Sequence, residues 1–460
     1  MTDDSAPDGG AGGQPVDLNA GALAPVADEV DRADLPISGS LPGELDGVLI
    51  RNGPNPLSGR FDGAGVLDWW PEAAMLHAVE LGGHRPPAYR NRWARTRQWA
   101  ARHESDGIET RVDSNPNVNL VAHAGEVLAL AEGGRPLRIG PRLESLGPTV
   151  THPALATGST AHPKVDPETG ELVSFVSAWA PPFLRYTVGA ADGSTMVDTT
   201  IDLAHSVMLH DLAITATRSV LFDGNVGYDL SMLARGHRIP IRWHDDRPAR
   251  LGLLARHGGP VTWFEIEPCF VQHTVNAFDD GPNRVVVDAV RYPWYFRVLD
   301  DGFAPDPLGL LWRWIIDLDR GTVAEGPLTD DEDGMPNVEL PRIDERRIGR
   351  PNRHAWMVEQ PSPVEMRGIR HRDGSTGSID RWVPPPGDQT SEPVFAPRPG
   401  STEEGDGWIL TCVHRAAGDT TDVVVLAATD LAAGPVATIH LPRRIPAGFH
   451  GIWLANRPGS

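Results

Sequence analysis

Four of the 17 histidines lie in apolar surroundings, whereas most of the others have polar or charged neighbours. They are His162 in "STAHPKVD", His210 in "MLHDLAIT", His273 in "EPCFVQHTVNAFDD" and His450 in "PAGFHGIWL". A single buried histidine is usually satisfied by a local hydrogen bond in the core. Four of them, each on an apolar strand or at its mouth, raise the alternative of a shared metal site. They are too far apart in sequence for a local zinc motif, so only the fold can bring them together.

Neutral imidazole is a suitable ligand for iron, copper, nickel or zinc. A set of four histidines contains no thiolate and no carboxylate, and it therefore leaves a divalent metal with its full charge. The residues alone do not choose among these metals.

The elements that must position the histidines are short strands. Gly and Pro make up 49 and 43 residues, about a fifth of the chain, and their regular spacing favours strands and turns over long helices. Strand–turn–strand units such as "HPKVDPETGELVSFVSAW" recur over about 400 residues. The clearest helical segment is "GYDLSMLARG", residues 227–236. This pattern predicts an all-β protein, a β-propeller ahead of a sandwich, in which one histidine from each of four blades can reach the axis.

Composition sets the domain organisation and excludes several partners. The acidic, Gly-rich start predicts a disordered tail over residues 1–35, followed by a single propeller domain over residues 36–460. A net charge of −21 argues against nucleic acid and against a polybasic membrane anchor. The two cysteines cannot form a disulfide scaffold, and no secretory or membrane-spanning segment is evident, so we expect a cytoplasmic protein. The expected partner is a small neutral molecule, and no protein partner is inferred.

Several motifs occur in one order along the chain: "LIRNGPNP", "STAHPKVDPETGELVSF", "LHDLAIT", "EPCFVQHTVNAFDD", "VELPRID" followed by "GRPNR", "SEPVF" with "GDGWIL", and "HGIWL". From about residue 40 onward the chain resembles the carotenoid cleavage oxygenases. The resemblance implies a seven-bladed propeller with a dome of loops and helices over the metal face. It also implies a non-haem Fe(II) that activates O₂ and cleaves a C=C bond into two carbonyl products. The metal ligands that it implies are His162, His210, His273 and His450.

The resemblance further implies three carboxylates that orient the imidazoles through their second nitrogen. The matching residues are Glu132 in "LALAEGG", Glu339 in "VELPRID" and Glu392 in "SEPVF". We expect them to partner His210, His273 and His450, in that order. No general acid or base is required, so no catalytic residue is predicted beyond the metal ligands.

The chain departs from the family in places that concern the substrate. The Gly-rich stretch that usually precedes "LHAV" is replaced by "DWWPEAAMLHAVEL", and "RHAW" stands where many members have "RYGY". Stilbene-cleaving members recognise a phenol with a Tyr and a Lys, which match Trp93 and Ala131 here. An apolar carotenoid or apocarotenoid is therefore the predicted substrate, with a peripheral membrane contact for its uptake. The predicted wall residues are Trp93, Phe270, Trp294 and Phe296.

Three alternatives remain at this point. The first is a stilbene- or phenylpropene-cleaving oxygenase of the same family. The second is a propeller without metal that serves as an interaction module. The third is a Ca²⁺-dependent propeller hydrolase, which would need Asp, Asn and Glu rather than His at the axis.

Overall fold

The computed structural model describes residues 17–63, 66–82, 85–299, 302–304, 306–307, 309–328, 338–362 and 364–456. Within these residues the strands form seven antiparallel sheets of four or five strands, together with two small two-stranded hairpins. The inner edge strands of neighbouring sheets contact one another, so the sheets are arranged around a common axis. The prediction of a seven-bladed β-propeller is confirmed.

We number the blades in the chain order of their inner strands and give each blade from the axis outward. Blade 1 contains Asn119–His123, Glu126–Leu130, Leu137–Ile139 and Ser145–Pro148. Blade 2 contains Lys164–Val165, Leu172–Ser177, Leu184–Gly189 and Thr195–Ile201. Blade 3 contains Ala213–Ile214, Arg218–Asp223, Ala249–Ala255 and Thr262–Ile266. Blade 4 contains Phe270–Asp279, Arg284–Tyr292, Leu310–Asp317 and Thr322–Pro327. Blade 5 contains Val338–Arg342, His354–Glu359, Gly368–Asp373 and Ile379–Trp382.

The last two blades combine residues from early and late parts of the chain. Blade 6 contains Val394–Pro397, Gly407–Arg415, Thr420–Ala427, Pro435–His440 and Ile37–Gly39. Blade 7 contains Gly451–Ala455, Gly47–Pro54, Ala74–Leu81, Ala88–Trp93 and Asp31–Arg32. Its inner strand pairs from Gly451 opposite Arg51 to Ala455 opposite Gly47. The ring is thus closed by a late strand on an early sheet, which leaves no open gap between blades 7 and 1.

The core lies between the blades because successive side chains of a strand face opposite sides of its sheet. Val423 and Val425 pack toward blade 7, whereas Val424 and Leu426 of the same strand pack toward blade 5. This alternation gives each central strand two buried faces. It explains why the run "VVVLAA", residues 423–428, is apolar throughout.

Short elements lie outside the blades. The hairpins are Val226–Tyr228 with Ile241–Trp243 and Val298–Leu299 with Gly302–Phe303, and the α-helices are Val66–Trp69, Arg97–Arg102 and Ser231–Ala234. The 3₁₀ turns are Gly21–Leu23, Ile108–Thr110, Pro153–Leu155, Glu345–Arg347 and Leu431–Ala433. The predicted helix over 227–236 is therefore reduced to four residues, because the preceding residues pair as a strand. None of the described helices has the length and apolarity needed to cross a bilayer.

The sequence predicts a disordered tail over residues 1–35, and the structure corrects this prediction for residues 17–35. Residues 1–16 lie outside the described residues, but Leu18 and Leu23 are buried against Phe61 and Trp69. Asp31–Arg32 adds the outermost strand of blade 7. The average composition of residues 1–35 hides these apolar side chains, which gain enough burial to order the segment. Residues 17–35 therefore belong to the propeller domain.

Candidate metal centre and substrate cavity

The four apolar histidines lie in the inner strands of four blades or just before them. His162 lies two residues before the inner strand of blade 2, and His210 lies three residues before that of blade 3. His273 lies within the inner strand of blade 4, and His450 immediately precedes that of blade 7. Each of the four side chains is at least nine-tenths buried. Strands that surround one axis direct them to the same place, although almost 300 residues separate the first from the last.

The imidazole nitrogens converge on a common point. Nε2 of His162 lies 3.1 Å from Nε2 of His210, and Nε2 of His450 lies 3.1 Å from Nε2 of His273. Ligand atoms of His162, His210 and His273 lie within 4.8 Å of one another. Two nitrogens bound to one metal at about 2.1 Å, at right angles, would be about 3.0 Å apart. The spacing therefore fits a metal ion among the four rings.

Two of the imidazoles are held from behind by buried carboxylates. Nδ1 of His273 donates to Oε2 of Glu339 at 2.5 Å, and Nδ1 of His450 donates to Oε1 of Glu392 at 2.7 Å. A proton fixed on Nδ1 leaves the lone pair of Nε2 facing the common point. Both rings are thereby set in the tautomer that a metal requires.

The third carboxylate makes a looser contact. Oε1 of Glu132 lies 3.2 Å from Nδ1 of His210, but the two groups are not aligned as a hydrogen bond. Glu132 is also more exposed than Glu339 and Glu392, with 27% of its side chain accessible against 2% and 1%. Each glutamate thus lies beside the histidine to which the sequence resemblance assigns it, with Glu132 the weakest partner.

The protonation states favour metal binding over charged imidazoles. Burial, reinforced by the other histidines, holds the pKa of His162 well below its usual value. Burial also outweighs the attraction of Glu392 and lowers the pKa of His450 to about 4. For His210, burial opposes protonation, but the surrounding carboxylates of Glu132, Asp211 and Glu339 together outweigh it and raise the pKa. His162 and His450 therefore present neutral nitrogens at neutral pH, as metal ligands must.

Asp211, the neighbour of His210, has a structural role that sequence reasoning missed. Its carboxylate accepts hydrogen bonds from the backbone N–H and the hydroxyl of Thr274, at 2.8 and 2.7 Å, and lies 2.8 Å from Nζ of Lys164. Burial opposes ionisation of Asp211, but Lys164 and Thr274 together lower its pKa. An ionised Asp211 thus connects blades 2, 3 and 4 directly beside three of the histidines.

Two further residues support the carboxylates and were also missed. The hydroxyl of Tyr292 donates to Oε1 of Glu339 at 2.8 Å. Nε of Arg342 donates to Oε1 of Glu392 at 2.8 Å. Arg342 lies within "VELPRID", one of the motifs that carry the family resemblance, so its role could have been predicted from the sequence. Tyr292 ends the second strand of blade 4, and nothing in its local sequence marks it.

A cavity of about 760 Å³ opens onto the histidines. Its wall includes His210, His273 and His450, and it is lined by apolar side chains among which are Trp69, Trp70, Ile241, Leu340, Met366 and Phe449. Pockets of this size accommodate ligands of several hundred daltons. The arrangement places the histidine cluster at one end of a largely apolar chamber.

The structure places the four predicted wall residues in two hydrophobic clusters. Trp93 packs with Val26 and Met75 on the outer part of blade 7. Phe270, Trp294 and Phe296 belong to an aromatic cluster around Tyr295. Tyr295 itself lines the cavity, and Phe270 stacks on it with ring centroids 5.3 Å apart. None of the four predicted residues is among the described residues that form the cavity wall.

Fold and site together define a seven-bladed β-propeller with an axial cluster of histidines able to bind a metal ion. The family model described as "Retinal pigment epithelial membrane protein" matches residues 23–455. The chain is 33% identical to a carotenoid cleavage oxygenase of Mycobacterium tuberculosis, over 94% of this chain and 96% of the relative. The chain therefore belongs to the carotenoid cleavage oxygenase family.

Solved structures agree with this assignment. Cobalt-substituted apocarotenoid oxygenase of Synechocystis has a TM-score of 0.82 at 25% identity, covering 94% of this chain and 97% of that chain. Lignostilbene dioxygenase of Pseudomonas brassicacearum has a TM-score of 0.84 at 27% identity, covering 96% and 99%. Oxygenases for two kinds of substrate thus share this fold.

Proposed function

We propose that the protein is an Fe(II)-dependent dioxygenase that cleaves a C=C bond of a carotenoid or apocarotenoid into two carbonyl products. His162, His210, His273 and His450 would hold the iron, and Glu132, Glu339 and Glu392 would orient three of these ligands. The proposal depends on one observation above all: the imidazole nitrogens converge on a point at the wall of a large apolar cavity.

The choice of iron follows from the ligand set and from the family. Four neutral imidazoles without thiolate suit a redox-active divalent metal that keeps its charge, rather than a structural zinc ion. When bound, Fe(II) supplies the activation of O₂. The overall reaction balances when one oxygen atom of O₂ goes to each alkene carbon as the C=C bond is lost.

The residues of the chain then have to bind the substrate, orient the metal ligands and enclose the site. The Glu339 and Glu392 carboxylates keep the Nδ1 protons of His273 and His450 in place, so that Nε2 is free to ligate. Trp69, Trp70 and Phe449 provide an apolar wall for a polyene, with the rings of Trp69 and Phe449 4.6 Å apart. No side chain needs to transfer a proton, in keeping with a cleavage that adds oxygen and releases nothing else.

A product assay tests the proposal. The protein, reconstituted anaerobically with Fe(II), is mixed with carotenoids, apocarotenoids and stilbenes under isotopically labelled O₂, and the products are analysed by mass spectrometry. We expect two carbonyl fragments from an apocarotenoid, each carrying one labelled oxygen. Zinc-loaded protein is the matched control and should be inactive.

Other outcomes would contradict the proposal. Cleavage of stilbenes alone would assign the protein to that branch of the family, and label in only one fragment would indicate a monooxygenase. Activity with zinc but not with iron would exclude the proposed metal. The cytoplasmic location and the peripheral membrane contact stay predictions, which cell fractionation and vesicle flotation would test.

A further inference from the structure

Arg135 is a cation on the cavity wall whose side chain has no partner among the residues that the structure describes. Among the described residues its side chain makes no hydrogen bond and no ion pair, and its Nε is buried without an acceptor. Only its backbone carbonyl is bonded, as the acceptor of the Ser114 hydroxyl at 2.7 Å. Burying a donor without an acceptor destabilises a protein, so the presence of such a donor in a binding cavity points to a ligand that satisfies it.

Other arginines in the described part of the chain also have a buried Nε without a partner, but their situation differs. They are Arg97, Arg111, Arg138, Arg256, Arg291, Arg297, Arg372 and Arg443. Except for Arg372, each forms another side-chain hydrogen bond. Arg372 lines a separate pocket between blades 4 and 5. Arg135 alone combines an unpartnered guanidinium with the cavity that contains the histidines.

The acidic groups on the same wall leave this charge unneutralised. Glu132 faces His210 and Glu339 is bonded to His273. Asp113 also lines the cavity but forms no ion pair with Arg135. The guanidinium is therefore available to an anion that enters the cavity.

We propose that Arg135 binds the terminal carboxylate of an elongated conjugated substrate, so that the enzyme prefers apocarotenoid acids to the matching alcohols. This proposal rests on the function proposed above and specifies its substrate class. A guanidinium presents two parallel N–H groups that match the two oxygens of a carboxylate. The rest of the polyene would lie against the apolar wall.

The position of Arg135 relative to the histidines would also determine which double bond of the substrate is cleaved. It follows Glu132 by three residues, so their Cα atoms are at most about 11 Å apart. Glu132 lies beside the metal ligand His210. A carboxylate fixed by Arg135 would therefore fix how far the polyene reaches past the histidines, and hence which double bond meets the metal.

A carboxylate fits this site better than a phenol does. A phenol has a pKa of about 10, so at neutral pH it is uncharged and offers one oxygen to the guanidinium. In stilbene-cleaving members the cationic partner of the phenol matches position 131, where this chain has Ala131 on the cavity wall. The cation here lies four residues further along.

Binding measurements on metal-free protein test the proposal without reference to turnover. The probes are an apocarotenoic acid, the apocarotenol with the same polyene, and a hydroxystilbene, each titrated against tryptophan fluorescence, since Trp69 and Trp70 line the cavity. Arg135→Leu should weaken binding of the acid roughly 10-fold to 100-fold. Binding of the alcohol should change by less than about twofold, and Arg135→Lys should recover part of the loss.

Arg185→Leu is the matched control. Arg185 donates to the hydroxyl of Thr157, a cavity residue, but is already paired with Asp198. The Arg185→Leu substitution should leave the affinities for the acid and for the alcohol unchanged. If Arg135→Leu weakens acid and alcohol equally, or leaves the acid unaffected, the proposal is wrong. A larger loss for the hydroxystilbene would assign the site to a phenol and also overturn it.

The same titrations separate this proposal from the proposed function. If the acid binds through Arg135 but the iron-loaded protein cleaves no apocarotenoid, the carboxylate site stands and the proposed reaction fails. If apocarotenoids are cleaved with no preference for the acid and no effect of Arg135→Leu, the reaction stands and the carboxylate site fails.

Discussion

Arg342 holds Glu392 through two hydrogen bonds, from Nε to Oε1 at 2.8 Å and from Nη2 to Oε2 at 3.2 Å. Glu392 in turn accepts the Nδ1 proton of His450 and the backbone N–H of Gly451. Burial opposes ionisation of Glu392, but Arg342 and His450 overcome it and lower its pKa to about 2. Arg342 thus keeps charged the carboxylate that orients one of the candidate ligands.

Arg342→Leu should destabilise the protein strongly, because it leaves a buried carboxylate without its main partner. Loss of one member of such a pair costs about 3–5 kcal/mol of the free energy of unfolding. Urea denaturation would measure this. The exposed Arg320, which pairs with Asp317 at 3.3 Å, provides a control whose loss should cost less than about 1 kcal/mol. Equal effects of the two substitutions would contradict the role of Arg342.

Glu339→Gln should weaken metal binding roughly 10-fold to 100-fold while the fold persists, since it removes the charge behind His273. Titration with Fe(II), or with Co(II) followed by its visible absorption, would measure the affinity. Tyr292→Phe removes one donor to Glu339 but keeps the carboxylate, so its effect should be smaller. Glu132→Gln should also have a smaller effect because its contact with His210 is poorly aligned. An unchanged affinity in Glu339→Gln would show that this carboxylate does not tune the metal.

His450→Ala should give a folded, soluble protein that binds little iron and has no cleavage activity. The substitution removes the imidazole but leaves Ile452 and Leu454 packed between blades 7 and 1. Metal analysis together with circular dichroism would separate the two effects. His440→Ala, at a half-exposed histidine bonded to Asp422, is the control and should retain its iron. Normal iron content in His450→Ala would place the fourth ligand elsewhere.

Leu18→Ala should destabilise the protein by about 2–5 kcal/mol, as expected for a fully buried leucine. The residues that Leu18 contacts include Trp69, which lines the cavity, so substrate binding should weaken as well. Thermal unfolding would measure the first effect and fluorescence titration the second. Leu230→Ala changes a leucine that is 51% exposed and should alter stability by less than about 0.5 kcal/mol. If Leu18→Ala leaves the stability unchanged, residues 17–35 would belong to the disordered tail that the sequence predicts.

Asp306→Asn should stabilise the protein at pH 7 but not at pH 4. Burial raises the pKa of Asp306 from 3.8 to about 6, against a single hydrogen bond from the backbone N–H of Phe296. The folded state therefore holds its proton more tightly than the unfolded state does, and stability is lost as the pH rises from about 4 to about 6. The expected gain at pH 7 is roughly 1–3 kcal/mol, the lower end applying because Asp306 keeps part of its surface in water. A gain of equal size at both pH values would exclude ionisation as the cause.

The axial histidines could be predicted because a polar side chain in an apolar strand is conspicuous, and because the surrounding motifs are specific. Glu339 and Glu392 were equally accessible, since they lie in two of those motifs, and Glu132 follows the apolar run "LALA". Arg342 was accessible in principle. Tyr292 was not, because only the pairing of Phe270 with Tyr292 shows that the second strand of blade 4 ends near the site.

The residues that form the cavity wall could not be predicted from the sequence in the same way. Around His273 the pairing of the inner and second strands of blade 4 shifts between Val271 and Thr274 and again before Asn276. Such bulges break the two-residue alternation, so the direction of Phe270 cannot be inferred from that of His273. Much of the wall is also formed by segments between strands, including residues 113–118 and 131–135, where no periodicity exists.

The pairing of Gly451–Ala455 with Gly47–Pro54 has a consequence for biosynthesis. Blade 7 joins residues about 400 positions apart, and the same late segment delivers His450. During translation, six blades can be made while the seventh still lacks its inner strand and the proposed metal site still lacks His450. A chain that stops before this strand should therefore gain less stabilisation from a bound ion than the full chain does, and it should be cleaved more readily by proteases.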